Sequence, residues 1–292
     1  MGNARIAELP RRGVVSVDGA DAEKFLNDLI TSDMPAAGAA AYGGLLTPQG
    51  KILFDLIAFR DGGRFLFDLP RGLVADFVRR LTFYRLRAKV EIADLSGEQK
   101  VVAAWGDPVA PALAGPVAID PRLAELGFRA ILPSGAEIAA PGYLPGSAAE
   151  YDVHRIRLGV PEGGIDFSFG ESFPHDADMD QLHGIDFTKG CYVGQEVVSR
   201  MQHRGTARRR VIIATGVSPL PAAGTPVMAG EKALGTLGSS AGDHGVALVR
   251  LDRAREALDH GVAITAGGAP LRLVLPTWAG FSWPAAGPED QS

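Results

Sequence analysis

Short apolar runs broken by Gly, Pro and Asp recur along the chain, mixing hairpin signals with amphipathic stripes instead of alternating strand with helix. Residues 52–59 and 65–69 are strand-like and flank Arg60-Asp61-Gly62-Gly63, a tight-turn sequence. Residues 13–17, 89–93 and 101–105 read the same way. Ala22, Phe25, Leu26, Leu29 and Ile30 fall on one face of a helix whose N-cap is predicted at Asp21, in Gly19-Ala20-Asp21. Leu73, Val74, Phe77, Val78 and Leu81 repeat that stripe. Ser147 and Glu150 form a capping-box pair for a further helix, stopped by Gly159 and Pro161. This mixture predicts an α+β fold with mixed or antiparallel sheets, not a doubly wound parallel one.

The texture changes after residue 206. Runs at 211–214, 234–237, 246–251 and 271–275 are short, apolar and separated by turn residues, which predicts a small C-terminal β-barrel. The expected division is a first domain over 1–206, a barrel over 207–285 and a disordered tail over 286–292. Residues 164–184 read as a long polar loop, and loops of that length are uncommon unless they carry function.

At 292 residues with 46% hydrophobic and 22% charged side chains, the chain can bury a sizeable core. No apolar run reaches the roughly 18 residues of a membrane span, and the first ten residues lack a secretory stretch. Met1-Gly2 starts like a myristoylation site, but Ile6 stands where Ser or Thr belongs. A cytoplasmic protein without a membrane partner is the default expectation. The net charge of −5 argues against nucleic-acid binding, and the run Arg204, Arg208, Arg209, Arg210 reads as a solvated face. A single cysteine, Cys191, excludes an internal disulfide. It also excludes a Cys-only cluster or zinc site built by this chain alone.

That cysteine sits in the most informative stretch, Thr188-Lys189-Gly190-Cys191-Tyr192-Val193-Gly194-Gln195-Glu196, followed by the helix-compatible Val197-Val198-Ser199-Arg200. If a helix opens at 194–196, Cys191 lies near its free N–H groups and the positive end of its dipole, and Lys189 adds a cation. Both effects favour a thiolate. A free cysteine is also a common core residue, so the residues alone leave a primed and an inert thiol both open.

Lys189-Gly190-Cys191-Tyr192-x-Gly194-Gln195-Glu196 resembles the signature of the YgfZ-type branch of the GcvT superfamily. Gly19-Ala20-Asp21 with Phe25-Leu26, Leu46-Thr47-Pro48-Gln49-Gly50-Lys51 and Tyr84-Arg85-Leu86-Arg87-Ala88-Lys89-Val90 resemble further parts of that family, so the similarity runs from about residue 13 to 210. The resemblance implies a folate-binding GcvT-like N-terminal domain and an aminomethyltransferase-type C-terminal barrel. It further implies a role in assembling or repairing iron–sulfur enzymes through Cys191, with tetrahydrofolate or another folate as ligand and iron–sulfur client or assembly proteins as partners. It places Tyr151 where an aromatic residue flanks the ligand and Arg12 near a second ligand-facing position. Arg200 and Arg204 are candidates for meeting the anionic glutamate tail of a folate. The catalytic aspartate of the transferases has no clear counterpart; Asp76 lies in the corresponding neighbourhood but in different surroundings.

Three functions stay open: a folate-binding accessory factor without turnover of its own, a one-carbon transferase, and a binding module with a structural cysteine. His175-Asp176-Ala177-Asp178-Met179-Asp180 with His183 has metal-ligand residue types but no metal-motif spacing, and a solvated acidic loop explains it. Thr47-Pro48-Gln49-Gly50-Lys51 lacks P-loop spacing and reads as a turn.

Overall fold

The computed structural model describes residues 4–107, 109–205 and 207–285. The expected tail, 286–292, and the Met1-Gly2 start lie outside the described residues. The chain divides into two compact units. One combines the residues up to Tyr151 with Leu182–Ser199, and the other combines Asp152–Gln181 with the residues from Arg200 onward.

The strands of the first unit are β1 (Arg5–Glu8), β2 (Arg12–Asp18), β3 (Ala40–Leu46), β4 (Ile52–Asp61), β5 (Arg64–Pro70), β6 (Glu91–Asp94), β7 (Gln99–Trp105), β8 (Val117–Ile119), β9 (Phe128–Pro133) and β10 (Leu144–Pro145). They form two five-stranded sheets, ordered β3-β4-β5-β2-β6 and β10-β1-β7-β9-β8. Helices α1 (Ala22–Asn27) and α2 (Val74–Arg85) cover one face of the first sheet. There the period-2 pattern of the strands meets the period-3.6 pattern of the helices. Val15, Val17, Phe54, Leu56, Phe65 and Phe67 point to Leu26, Phe77 and Leu81 in one buried cluster. Phe77 packs edge-on against Phe54 and Phe67, with centroids 5.3 and 5.7 Å apart. The predicted hairpin closes with Asp61 opposite Arg64. The second sheet has its own core of Ile6, Val102, Ala104, Phe128 and Leu132.

Asp21 precedes α1 but does not cap it; its carboxylate instead accepts the backbone N–H of Lys89 at 2.7 Å. The partner is 68 residues away and outcompetes the local N–H groups. The capping box at α3 (Ala148–Leu158) forms as read: Glu150 N–H donates to Ser147 Oγ at 3.2 Å, and Glu150 Oε2 accepts from Ser147 N–H at 2.9 Å.

In the second unit, seven antiparallel strands form one sheet: β11 (Arg209–Thr215), β12 (Pro226–Ala229), β13 (Lys232–Ala241), β14 (His244–Arg250), β15 (Ile264–Ala266), β16 (Ala269–Pro270) and β17 (Arg272–Val274). Register shifts in β12 and β13 bend the sheet around Ile212, Val227, Leu234, Leu237 and Val249. α4 (Gln195–Arg204) precedes this sheet in the chain, and α5 (Leu251–Asp259) buries Leu251, Ala254 and Ala257 against it. The α+β architecture read from the periodicities is the one observed.

Candidate functional site

The face of the first sheet turned away from its helices carries polar side chains among the buried Val14, Ile57, Phe59 and Leu66. Side chains alternate along each strand, so while Phe54 and Phe67 enter the helical core, Tyr42, Asp55 and Asp68 emerge on the opposite face. On β9 the same alternation sends Phe128 and Leu132 into their core and Arg129 out of it. Arg129 meets Asp68 (3.6 Å) and Asp120 (3.2 Å), while the Arg122 guanidinium makes two hydrogen bonds to Asp120 at 2.9 and 2.7 Å. Arg12 pairs with Asp68 through Nε. Tyr151 Oη accepts from Arg129 at 3.0 Å and from Arg122 at 3.2 Å, and its ring lies edge-on to Trp105. Three guanidiniums thus face two carboxylates, Asp68 and Asp120, in a buried seam.

The seam is electrostatically tight but not saturated. Burial pushes the Asp120 carboxyl up, yet the Arg122 and Arg129 guanidiniums outweigh it and hold the group well below the usual carboxylate range. Burial, then the Asp55 charge, raises the Tyr42 phenol, which stays neutral. Arg129 Nε and Nη1 and Asp68 Oδ2 have no hydrogen-bond partner among the described residues. Arg129 Nη1 and Asp68 Oδ2 face each other as an ion pair at 3.6 Å, beyond hydrogen-bond reach, and a buried polar atom without a hydrogen bond, such as Arg129 Nε, is rare. Because Asp120 has a depressed folded-state pKa, its stabilisation is fully present above the unfolded value of about 4 and is lost as pH falls toward the folded value. Urea midpoints measured from neutral pH downward should therefore fall most steeply below about pH 4, and Asp120→Asn should flatten that fall. An identical acid limb in that variant would show that the acid-labile group lies elsewhere.

Beside the seam lies a shallow, open cavity of about 760 Å³ lined by residues 38–42, 118–121, 123–125 and His183. Its size lies within the roughly 300–1,000 Å³ of small-molecule sites. Tyr42 and Asp120 belong both to this lining and to the seam. From His183 the chain runs directly to the cysteine motif, and two anchors fix that run. Thr31 Oγ1 donates to Gly184 O at 2.5 Å, and its carbonyl accepts Asp186 N–H at 2.9 Å. Lys189 then turns inward: Nζ donates to Ile30 O and Ser32 O, both at 2.9 Å, and pairs with Asp33 at 3.4 Å. Burial lowers the Lys189 pKa against the pull of Asp33.

Lys189 therefore has a structural task, because its ammonium is committed to residues 30–33. Asp186 Oδ1 accepts from Thr188 N and Oγ1, both at 2.7 Å, and from Lys189 N, which together depress its pKa. Tyr192 is buried, its phenol pushed up to about 12 by burial and then by Asp186. Cys191 between these anchors is exposed, and α4 opens four residues later at Gln195, as the motif predicts.

Gly194 needs to be glycine. Its φ is +85°, and a Cβ would lie 2.6 Å from Thr47 O and 3.1 Å from Gly50 Cα. Two separate stretches, 46–51 and 189–196, are thereby locked together. Gly190 meets no such constraint, and nothing in the structure explains it. Gln195 is half-buried and Glu196 exposed on the first turn of α4.

The second unit holds the other charged loop. Arg210 is buried and donates to His175 O, Asp178 and Asp180, so these acidic side chains serve an ion-pair network. Among the described residues no group of three His, Cys, Asp or Glu side chains is arranged to hold a metal ion.

The residues from 208 to 281 match the family described as CAF17, C-terminal beta-barrel domain. In fold, the chain is similar to glycine cleavage system aminomethyltransferase T from Bartonella henselae. The TM-score is 0.72 over 94% of this chain and 85% of that one, at 17% identity. A protein of Mycosarcoma maydis named iron–sulfur cluster assembly factor IBA57 homolog, mitochondrial, is 38% identical over 71% of this chain; the match spans 56% of that relative's length. The Homo sapiens iron–sulfur cluster assembly factor IBA57, mitochondrial, is 31% identical over 94% of this chain and 84% of the human protein. The chain belongs to the IBA57 family. The GcvT-like fold implied by the signature stands, and the branch is the one these relatives name. The cytoplasmic default is corrected, since the IBA57 relatives are named as mitochondrial proteins.

Within this IBA57-family chain the structure brings together Arg12 and Tyr151, two of the residues singled out for a ligand, at the seam. Arg200 and Arg204 stay exposed on α4, in the second unit. Asp76 is an exposed helix residue paired with Arg79, away from the polar face. Sequence reasoning missed Tyr42, Asp55, Asp68, Asp120, Arg122 and Arg129. The available signal was a carboxylate inside each of two apolar strand runs, Phe54-Asp55-Leu56 and Phe67-Asp68-Leu69, where a buried charge implies a partner.

Proposed function

We propose that this chain is a folate-binding accessory factor that supports iron–sulfur cluster assembly or repair through Cys191. One observation carries the reading: the run from His183 to Cys191 connects the lining of a small-molecule-sized cavity to an exposed thiol, pinned at Thr31 and Lys189. A reduced pterin is flat and rich in donors and acceptors. Tyr42 supplies an aromatic wall for it and Asp120, held by Arg122 and Arg129, a carboxylate edge. Bound folate would supply one-carbon or redox chemistry. The chain's own part is to hold the ring and present the thiol. With one sulfur, the protein offers a single ligand or exchange partner to a cluster, and an assembly or client protein completes the coordination. The names of the IBA57 relatives support the assembly role.

Calorimetry with tetrahydrofolate tests the ligand. Tyr42→Ala should weaken binding by about tenfold, near 1.4 kcal/mol. Tyr151→Phe, which removes the acceptor of Arg122 and Arg129 and keeps the ring, should weaken it less than Tyr151→Ala. Unchanged affinity in Tyr42→Ala would remove the pterin from this cavity.

A further inference from the structure

The sequence Tyr84-Arg85-Leu86-Arg87-Ala88-Lys89-Val90 is only partly explained by the core. Tyr84 and Ala88 pack against the helical cluster and Val90 is part of it, whereas Arg85, Leu86 and Arg87 are exposed. Leu86 follows the last residue of α2 at φ 44°, a conformation that leucine rarely adopts, and is 89% exposed. Phe83, three residues earlier, is 73% exposed. These are the two most exposed large apolar side chains among the described residues of the first unit. Around them, residues 79–89 carry Arg79, Arg80, Arg85, Arg87 and Lys89 and no carboxylate, in a chain of net charge −5. Only Arg79 has an ion-pair partner among the described residues. A shallow hollow of about 620 Å³ lies alongside, rimmed by Arg85, Arg87 and Lys89, with Asp18 and Glu91 also in its lining.

We propose that this corner between α2 and β6 is a docking surface for an anionic lipid bilayer, with Leu86 and Phe83 entering the interface and the surrounding cations meeting lipid phosphates. Charge complementarity argues for an anionic partner. The shape argues for a bilayer: both apolar side chains are projecting tips, and a fluid interface accepts tips without a matching hollow, which a protein partner would have to supply. Association of this kind is peripheral and reversible. It is also compatible with the described helices, none of which is long and apolar enough to cross a membrane.

The test is co-sedimentation of the full chain with vesicles of phosphatidylcholine alone or with about 30 mol% phosphatidylglycerol. The bound fraction should be about fivefold higher on the anionic vesicles and fall as salt screens the charges. Phe83→Ser/Leu86→Ser and Arg85→Glu/Arg87→Glu should each return it to the phosphatidylcholine level. Every changed side chain is exposed, so both variants should keep the parent melting temperature. Leu86→Trp should show a blue-shifted emission with anionic vesicles and none with inorganic phosphate. Equal binding to both vesicle types, binding retained in both double variants, or unshifted tryptophan emission would overturn the proposal. A photo-crosslinker at position 86 that captures protein and no lipid in cells would replace the bilayer with a protein partner.

Discussion

Arg129→Met should lower the stability of the first unit by about 3–5 kcal/mol, because it removes the cation shared by two buried carboxylates and leaves them under-compensated. Asp68 and Asp120 have side chains 0% and 1% exposed, so neither can recover its charge stabilisation from water. Arg12 and Arg122 each retain one of the carboxylates, which places the expected loss within that range instead of above it. In thermal unfolding this corresponds to a drop on the order of 10 °C. The exposed Arg87→Met is the control and should stay within about 0.5 kcal/mol of the parent. A melting temperature unchanged in Arg129→Met would mean that the seam is open to solvent in solution.

Cys191→Ala should have the larger effect on function and almost none on the fold. The side chain is exposed, so truncation leaves no cavity, and the anchors of the motif, Lys189 on residues 30–33 and Gly194 on the 46–51 turn, do not involve the sulfur. In cells lacking the protein, the variant should fail to restore iron–sulfur enzyme activity while binding tetrahydrofolate with parent affinity. Full restoration would make the cysteine structural and turn attention to the ligand alone. Loss of one-carbon transfer in a purified assay, with iron–sulfur enzymes unaffected, would favour the transferase reading.

How much of this was legible in the sequence depended on whether the signal was local. The β4–β5 hairpin, the α2 stripe and the α3 capping box involve residues a few positions apart, and each forms close to where the pattern places it. β3, with Ala40, Ala41, Gly43 and Gly44, has little strand propensity of its own and is held by β4 and by Thr31. β9 looks like any apolar run until Arg129 is seen to leave its core. The seam was the least legible part, since Arg12, Asp68, Asp120, Arg129 and Tyr151 come from five separated places and only the pairing of sheets unites them. The cysteine motif was recognisable as a string, but the anchoring role of Lys189 is visible only once residues 30–33 are placed beside it.

The claim at the centre is that the cavity and the thiol form one site, joined by the His183–Cys191 run. Timed alkylation of Cys191 by iodoacetamide, with and without saturating tetrahydrofolate, measures that coupling. Occupancy of the cavity should change the rate about fivefold or more, and Tyr42→Ala should require more ligand for the same change. A rate indifferent to tetrahydrofolate that is bound, as shown by calorimetry on the same sample, would separate the two and contradict the account.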